Sequence, residues 1–333
     1  FDLYVFNGGC PHYSIDSFSV ASTSEDFNVT VYVRQKRKGT DFIGNGNIIP
    51  VTFMDENWDT FEDTIHFSGA TGQSTKTVPF APVAVYVDLE KNMCDATTDD
   101  YMHITEVDDY IYPYTFFVLE VQEVTDSAFV RITHNWAPPD SLNVPSEISR
   151  ISDYRYWDVD GVFPEGFVAT GRFQYNKSGL DNNLILSATD SVVILYRAKP
   201  SEPWQLLDFT QLGPWSIGYL FVDSLQKGQY VLGVIDISVG IEDQDRLTSD
   251  KKTALYLYPN PSGGQVNIIY DITEEAIIRI HDLQGKLMDS ASLDPGTGQY
   301  RWNAVDIGPG TYLVSLQARD SRIIAREKLM IIK

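Results

Sequence analysis

The chain has 333 residues, a formal net charge of −21 at pH 7, 43% hydrophobic residues and 13% aromatic residues. This length predicts two or three folded domains, each with its own core. The negative charge argues against nucleic acid or an anionic membrane surface as a partner, because phosphate binding needs clustered Lys and Arg. No apolar stretch approaches the length of a bilayer span, so the sequence predicts no transmembrane helix.

The first predicted segment covers residues 1–98 and consists of short strands separated by Gly-containing turns. Residues 27–33 alternate in polarity, which is the period of a half-buried strand. Short strands at this spacing, without a helical period, predict an all-β, antiparallel, immunoglobulin-like β-sandwich. We expect strands at residues 13–21, 27–36, 48–54, 63–68, 74–79 and 83–88.

Cys10 and Cys94 are the two cysteines of the chain. A disulfide between them would close a long loop around the first segment and would stabilise it by about 4 kcal/mol in the chain-entropy model. Export to an oxidising compartment favours this bridge, while two buried free thiols fit the sequence nearly as well. Both alternatives stay open at this point.

The second predicted segment covers residues 99–236 and follows an Asp- and Thr-rich linker at residues 95–100. Its strand-like runs predict a second β-sandwich. We expect strands at residues 116–124, 128–135, 166–175, 184–187, 192–197, 204–208 and 229–236. Residues 237–252 carry several acidic residues and few aromatic ones, which predicts a flexible acidic linker.

The third predicted segment, residues 253–333, is a small β-module with a distinctive order of turns. Residues 259–264, Pro-Asn-Pro-Ser-Gly-Gly, predict a turn, because proline lacks an N–H donor and glycine accepts positive φ. Residues 282–286 predict a Gly-bearing hairpin turn between β-branched strands. Residues 308–310, Gly-Pro-Gly, predict the next turn, and residues 311–316 alternate as a half-buried strand does.

This order of turns and strands resembles the type A C-terminal sorting domain of the Bacteroidetes type IX secretion system. The resemblance implies export through the periplasm and outer membrane to the cell surface or the medium. It also implies two partners, the outer-membrane translocon and a shuttle β-barrel protein. The positions that match the family pattern, as a sorting signal, are Pro259, Asn260, Pro261, Asp282, Gly285, Lys286, Gly310, Tyr312 and Lys328.

We expect most of these positions to shape the module. Its prolines and glycines would set turns. Tyr312 would pack in the core, while Lys286 and Lys328 would meet an acidic surface of a partner. The resemblance also implies that the module is removed or anchored after export, and the acidic linker offers extended backbone to a processing enzyme.

The first two segments resemble the region that follows the catalytic domain in M1-type (gluzincin) zinc aminopeptidases. In that family a Gly-x-Pro turn leads into a strand, a Gln-bearing strand crosses the sheet and an apolar-Pro strand returns. The matching stretches of the first segment are residues 9–13, 31–36 and 48–52. The second segment is similar to the next β-domain of secreted Bacteroidetes members at residues 133–140, 154–157, 180–181 and 190–197. The resemblance implies an upstream catalytic domain as a partner.

The zinc site of that family needs the pattern H-E-x-x-H and a downstream Glu. None of the five histidines, His12, His66, His103, His134 and His281, is followed by Glu. The sequence therefore predicts no catalytic residue, metal ligand or cofactor in this chain. Because the chain starts at Phe1 without a signal peptide, we expect it to be the C-terminal part of a larger precursor.

Two other motifs lack parts that their chemistry requires. Ser216 does not have the Gly spacing of a nucleophile elbow. Residues 158–161 resemble the start of a calcium loop, but Ala169 stands where an EF-hand needs Glu. A looser calcium site and a solvated acidic linker both fit Asp95, Asp99, Asp100, Asp108 and Asp109, and the linker is the preferred interpretation.

An aromatic set in the second segment has two interpretations. Its rings could stack on a sugar, or they could fill a core or a domain interface, and their large apolar area favours packing. The set comprises His134, Trp136, Tyr154, Tyr156 and Trp157.

Two hypotheses about function follow. In the first, the chain is the non-catalytic part of a secreted M1-like peptidase, in which the sandwiches brace the catalytic domain. In the second, it is a cell-surface binding module, an adhesin or a carbohydrate-binding unit, with the same sorting tail. A helix bearing H-E-x-x-H upstream of Phe1 would favour the first hypothesis.

Overall fold

The structure is a computed structural model that describes residue 6 and residues 8–39, 42–140, 143–236, 254–258, 260, 262–282, 285–319 and 323–332. Every secondary-structure element in these ranges is a β-strand. The strands form three successive two-sheet units, numbered from the N-terminus.

The first unit has two antiparallel three-stranded sheets, in the orders β1-β2-β5 and β4-β3-β6. Alternate residues of β2, such as Val29, Val31 and Val33, are buried against Ile49 and Val51 of β3, so one core lies between the sheets. The strands are β1 (Cys10–Ser22), β2 (Phe27–Lys38), β3 (Asn47–Met54), β4 (Thr60–Phe67), β5 (Thr71–Val78) and β6 (Ala84–Val87).

The second unit packs a seven-stranded sheet against a five-stranded one. The larger sheet has the order β15-β14-β18-β12-β10-β7, with β11 paired to β18, and the smaller has the order β16-β17-β13-β9-β8. Ile132, Trp157 and Ile194 of the larger sheet meet Leu119 and Phe173 of the smaller in the core. The strands are β7 (Thr97–Ile104), β8 (Asp109–Tyr112), β9 (Phe117–Glu123), β10 (Ala128–Asn135), β11 (Arg150–Ile151), β12 (Tyr156–Val162), β13 (Val168–Asn176), β14 (Asp190–Arg197), β15 (Gln205–Leu206), β16 (Thr210–Leu212), β17 (Ile217–Val222) and β18 (Gly228–Asp236).

A buried ion pair fixes the turn that follows β13. Arg155 donates from Nε and Nη2 to the two carboxylate oxygens of Asp181, at 2.9 and 2.7 Å. Asp181 also accepts the Asn176 N–H at 2.7 Å, and Arg155 donates to the Gln174 carbonyl at 2.6 Å. Both charged side chains are fully buried, so each depends on the other for its neutralisation.

The third unit is a smaller sandwich with sheets β19-β20-β23 and β22-β21-β24-β25. Val266 and Trp302 of the first sheet pack on Ile278, Val314 and Leu329 of the second. The strands are β19 (Ala254–Tyr258), β20 (Gln265–Ile272), β21 (Ala276–Asp282), β22 (Leu287–Leu293), β23 (Gly296–Asn303), β24 (Gly310–Ala318) and β25 (Ile323–Ile331).

The prediction of an all-β fold built from tandem sandwiches is confirmed in the described ranges. The domain boundaries at residues 1–98, 99–236 and 253–333 stay a prediction. The predicted acidic linker at residues 237–252 lies outside the described residues.

Two local predictions were wrong. Residues 95–100 were predicted as a linker, but β7 begins at Thr97. The acidic side chains at the start of this strand form ion pairs, Asp99 with Arg131 and Asp100 with Lys91. Residues 184–187 were predicted as a strand, but the Leu184 N–H donates to the Asp181 carbonyl in a turn. Leu184 and Ile185 of this turn enter the core, and their apolar character gave the sequence its strand-like pattern.

Candidate functional site

The side chain of Asn260 lies along the edge strand β25. Its Nδ2 donates to the Lys328 carbonyl at 2.7 Å, and its Oδ1 accepts the Met330 N–H at 2.8 Å. The side-chain amide therefore pairs with β25 as a neighbouring strand would. Pro259 and Pro261, the other predicted residues of this turn, lie outside the described residues.

Asp282 closes the hairpin between β21 and β22. Its Oδ1 accepts the Lys286 N–H at 2.9 Å, and its carbonyl accepts the Gly285 N–H at 3.0 Å. Gly285 has a φ of +84°, a left-handed conformation that favours glycine. These contacts give Asp282 and Gly285 a role in the shape of the turn.

Tyr312 connects the start of β24 to the core of the third unit. Its hydroxyl donates to the Gly308 carbonyl at 2.7 Å, and its ring meets Trp302 edge-on at 5.7 Å between centroids. Gly310, two residues earlier, is the first residue of β24. The side chain of Tyr312 is buried, so its role lies in packing and in holding the preceding turn.

Strand register collects the described motif positions at one end of the four-stranded sheet. Asp282 pairs with Tyr312, and Lys328 pairs with Leu313 on the same strand. The side chains of Lys286 and Lys328 are exposed there. We call this region the sorting end; it comprises Asn260, Asp282, Gly285, Lys286, Gly310, Tyr312 and Lys328.

Comparison with protein families gives a match that covers this unit. Residues 256–333 match the family described as "Secretion system C-terminal sorting domain". The third unit is a sorting domain. A domain of this kind interacts with the secretion machinery and indicates export through the outer membrane, so the protein is bound for the cell surface or the medium.

Comparison with solved structures returned PorZ, described as an essential bacterial surface component of the type-IX secretion system of Porphyromonas gingivalis. The identity is 10% and the TM-score is 0.19, and the alignment covers 95% of this chain and 51% of that one. The chain thus spans about half the length of PorZ. No curated protein gives a significant match. None of the described residues forms a helix long and apolar enough to cross a membrane.

Upstream of the sorting domain, a buried polar junction joins the first two units. His12 Nε2 lies 2.7 Å from Asn135 Oδ1, and Lys36 Nζ donates to the Tyr156 hydroxyl at 3.2 Å. Burial, followed by the charge of Lys36, lowers the pKa of His12 to about 3. Burial lowers the pKa of Lys36 to about 8. The junction therefore holds a neutral imidazole at neutral pH.

Beside this junction lies a cleft of about 780 Å³ between the two units, which we call the interdomain cleft. Its floor is the polar face of the larger sheet, and its wall is formed by β1, β6 and the loop that follows β6. In the register of the floor, Thr133 lies between Asp99 and Asp158, and Arg131 lies opposite Asp160. Charged and hydroxyl side chains therefore form ordered rows across β7, β10 and β12.

Two carboxylates of the floor have raised pKa values. Burial raises the pKa of Asp158 and of Asp160, and nearby hydrogen bonds and cations only partly oppose it. Arg131 pairs with Asp99 and also donates to the Val87 carbonyl at 2.9 Å. Polar groups held in this way can bind a ligand through several directional hydrogen bonds.

The other sequence predictions have mixed outcomes. The packing interpretation of the aromatic set is confirmed at its centre, where His134, Tyr156 and Trp157 are completely buried. Cys10 and Cys94 are free thiols, with Cys10 Sγ 3.8 Å from the Cys94 carbonyl oxygen, and the disulfide stays a prediction. No group of three His, Cys, Asp or Glu residues suited to a metal ion occurs in the described ranges, including the proposed aspartate set.

Sequence reasoning did not bring the residues of the interdomain cleft together as one site. Tyr86 and Arg131 were not singled out, and Asp158 and Asp160 were weighed only as a calcium loop. A usable signal was present, because residues 158–161 alternate acidic and small or apolar side chains as a strand with one polar face does. Only the fold shows that the first unit covers this face.

Proposed function

We propose that the chain is the non-catalytic C-terminal part of a cargo protein of the type IX secretion system. The sorting end is the surface that the outer-membrane translocon and its shuttle β-barrel recognise. The proposal is supported by the family match at residues 256–333 and by the register that gathers the motif positions. Lys286 and Lys328 supply the exposed positive charges for an acidic partner surface.

Export of altered chains in a bacterium with a type IX system tests this proposal. A chain that ends at residue 236 is expected to fold in its first two units and to stay in the periplasm. The double variant K286E/K328E is expected to reduce export about tenfold, because the two reversed charges would repel an acidic partner surface. A loss of about 1.4 kcal/mol in binding free energy corresponds to this tenfold change. Arg301→Glu, a charge reversal at another exposed position, on β23, serves as the control and is expected to leave export normal.

The outcomes separate two levels of the proposal. Normal export of the truncated chain contradicts the role of the sorting domain itself. Normal export of K286E/K328E contradicts charge recognition at the sorting end, while the control variant shows whether any charge reversal in this domain disturbs export.

We further propose that the parent protein is an M1-like zinc aminopeptidase and that the two larger sandwiches brace its catalytic domain. The support is the sequence resemblance, whose three stretches in the first unit fall at the start of β1, on β2 and on β3. Sequencing the precursor upstream of Phe1 tests this proposal. A helix bearing H-E-x-x-H is expected, and a precursor without that motif contradicts the peptidase parentage.

A cell-surface binding module is the second candidate function. One observation favours it: the interdomain cleft is large enough for a small ligand and is lined by polar groups in fixed positions. This function and the sorting role are compatible, since they use different units of the chain.

A further inference from the structure

We propose that the interdomain cleft binds a neutral saccharide. This inference deepens the binding-module function proposed above, and it does not depend on recognition of the sorting end. The volume of the interdomain cleft, about 780 Å³, falls within the usual range of small-ligand sites, about 300–1,000 Å³.

Two buried polar groups of the cleft have no partner among the described residues. The hydroxyl of Tyr86 and the Nε of Arg131 make no hydrogen bond, although both side chains are more than nine-tenths buried. A buried donor without a partner costs about 1–3 kcal/mol, and a ligand that supplied the missing partner would remove this cost. Both residues line the cleft, where a ligand hydroxyl could satisfy them.

The charges of the cleft select a neutral ligand. Arg131 is paired with Asp99, Lys227 lies 3.9 Å from Asp160, and Asp158 accepts from Asn135 at 2.8 Å. A cationic ligand would meet the guanidinium and ammonium groups, and an anionic ligand would meet the carboxylates. A polyol fits both, because each hydroxyl donates to a carboxylate and accepts from a cation.

The walls of the cleft favour a sugar over a peptide. Its floor is the face of a sheet, whereas an extended peptide usually adds to a free strand edge or fills apolar pockets. Tyr114 also lines the cleft, and this residue is 81% exposed. An exposed aromatic ring beside directional polar groups suits a pyranose, which has an apolar C–H face and polar edges.

Titration of the full chain with neutral oligosaccharides tests the proposal. Maltohexaose, cellohexaose, chitohexaose and mannohexaose are the probes, decalysine and hyaluronan are the charged comparators, and calorimetry gives the Kd. At least one neutral probe is expected to bind with a Kd of about 1 mM or lower. Failure of all four to bind at about 10 mM overturns the proposal, as does preferential binding of decalysine or hyaluronan.

Substitution of the unpartnered hydroxyl locates the site. Tyr86→Phe is expected to weaken saccharide binding about tenfold and to leave the Tm unchanged or raised, because the hydroxyl has no partner in the free protein. A purely structural role of the hydroxyl would lower the Tm instead. Asp160→Asn is expected to weaken binding too, and Tyr32→Phe, an exposed tyrosine on β2 outside the cleft, is the matched control. Unchanged binding by Tyr86→Phe overturns the proposal.

Discussion

Replacing Asn260 by alanine is expected to loosen the last strand of the sorting domain by an amount that the structure allows us to calculate. Asn260→Ala removes one hydrogen bond to the Lys328 carbonyl and one from the Met330 N–H. Water competes for these exposed groups, so each bond contributes a net stabilisation of about 1 kcal/mol and the pair about 2 kcal/mol. Because 1.4 kcal/mol corresponds to a tenfold change in an equilibrium constant, amide exchange through local opening should accelerate about 30-fold.

Hydrogen exchange measured by mass spectrometry on the full chain checks this value. Peptides that cover β24 and β25 should exchange faster, while peptides of the first two units should not change. Lys286→Ala is the control within the sorting domain, because it shortens an exposed side chain and leaves the contacts of Asn260 with β25 in place. Exchange of β25 within about twofold of the wild type would refute the reasoning, and a loss of export in that case would mean that the partner contacts Asn260 directly.

Three further predictions concern the first two units. Asp181→Asn should lower the free energy of unfolding by about 3–5 kcal/mol, because the buried charge of Arg155 would lose its partner. Urea denaturation measures this loss. The control is Asp153→Asn, which changes an exposed carboxylate. Under oxidising conditions Cys10 and Cys94 should form a disulfide, seen by mass spectrometry as two blocked thiols, and reduction should then cost about 4 kcal/mol of stability. His12 is neutral in the folded state, so the unfolded state binds the extra proton between pH 6.5 and about 3; stability relative to His12→Gln should fall as the pH drops through this window, by up to about 1.4 kcal/mol per pH unit.

The first unit and the sorting domain were largely predictable from sequence, because their strands show period-two alternation between clear turns. Residues 128–135 were predicted with the observed bounds of β10. The second unit was harder, and β12 was missed, because Asp158 and Asp160 gave it a polar face where a strand on a core was expected. Buried turns cause the opposite error, as residues 184–187 show, since apolar composition alone does not distinguish a strand from a turn that enters the core.

The two candidate sites differ in how far the sequence reveals them. The motif positions of the sorting end are mostly turn residues, and turns leave local marks such as the Gly285 position with positive φ. The interdomain cleft joins Tyr86, Arg131 and Asp160, which lie far apart in the chain and meet only through tertiary packing. Long-range juxtaposition of this kind has no local mark in a single sequence.

We expect the contact between Asn260 and β25 to make the sorting signal depend on a completely synthesised domain. The two hydrogen bonds of Asn260 span 68 and 70 residues, and their partners both lie on β25, the last strand of the sorting domain. Asn260 therefore cannot form these hydrogen bonds until the final strand has been synthesised and folded. We expect the secretion machinery not to recognise a chain that stops before β25, so that incomplete proteins would not be exported.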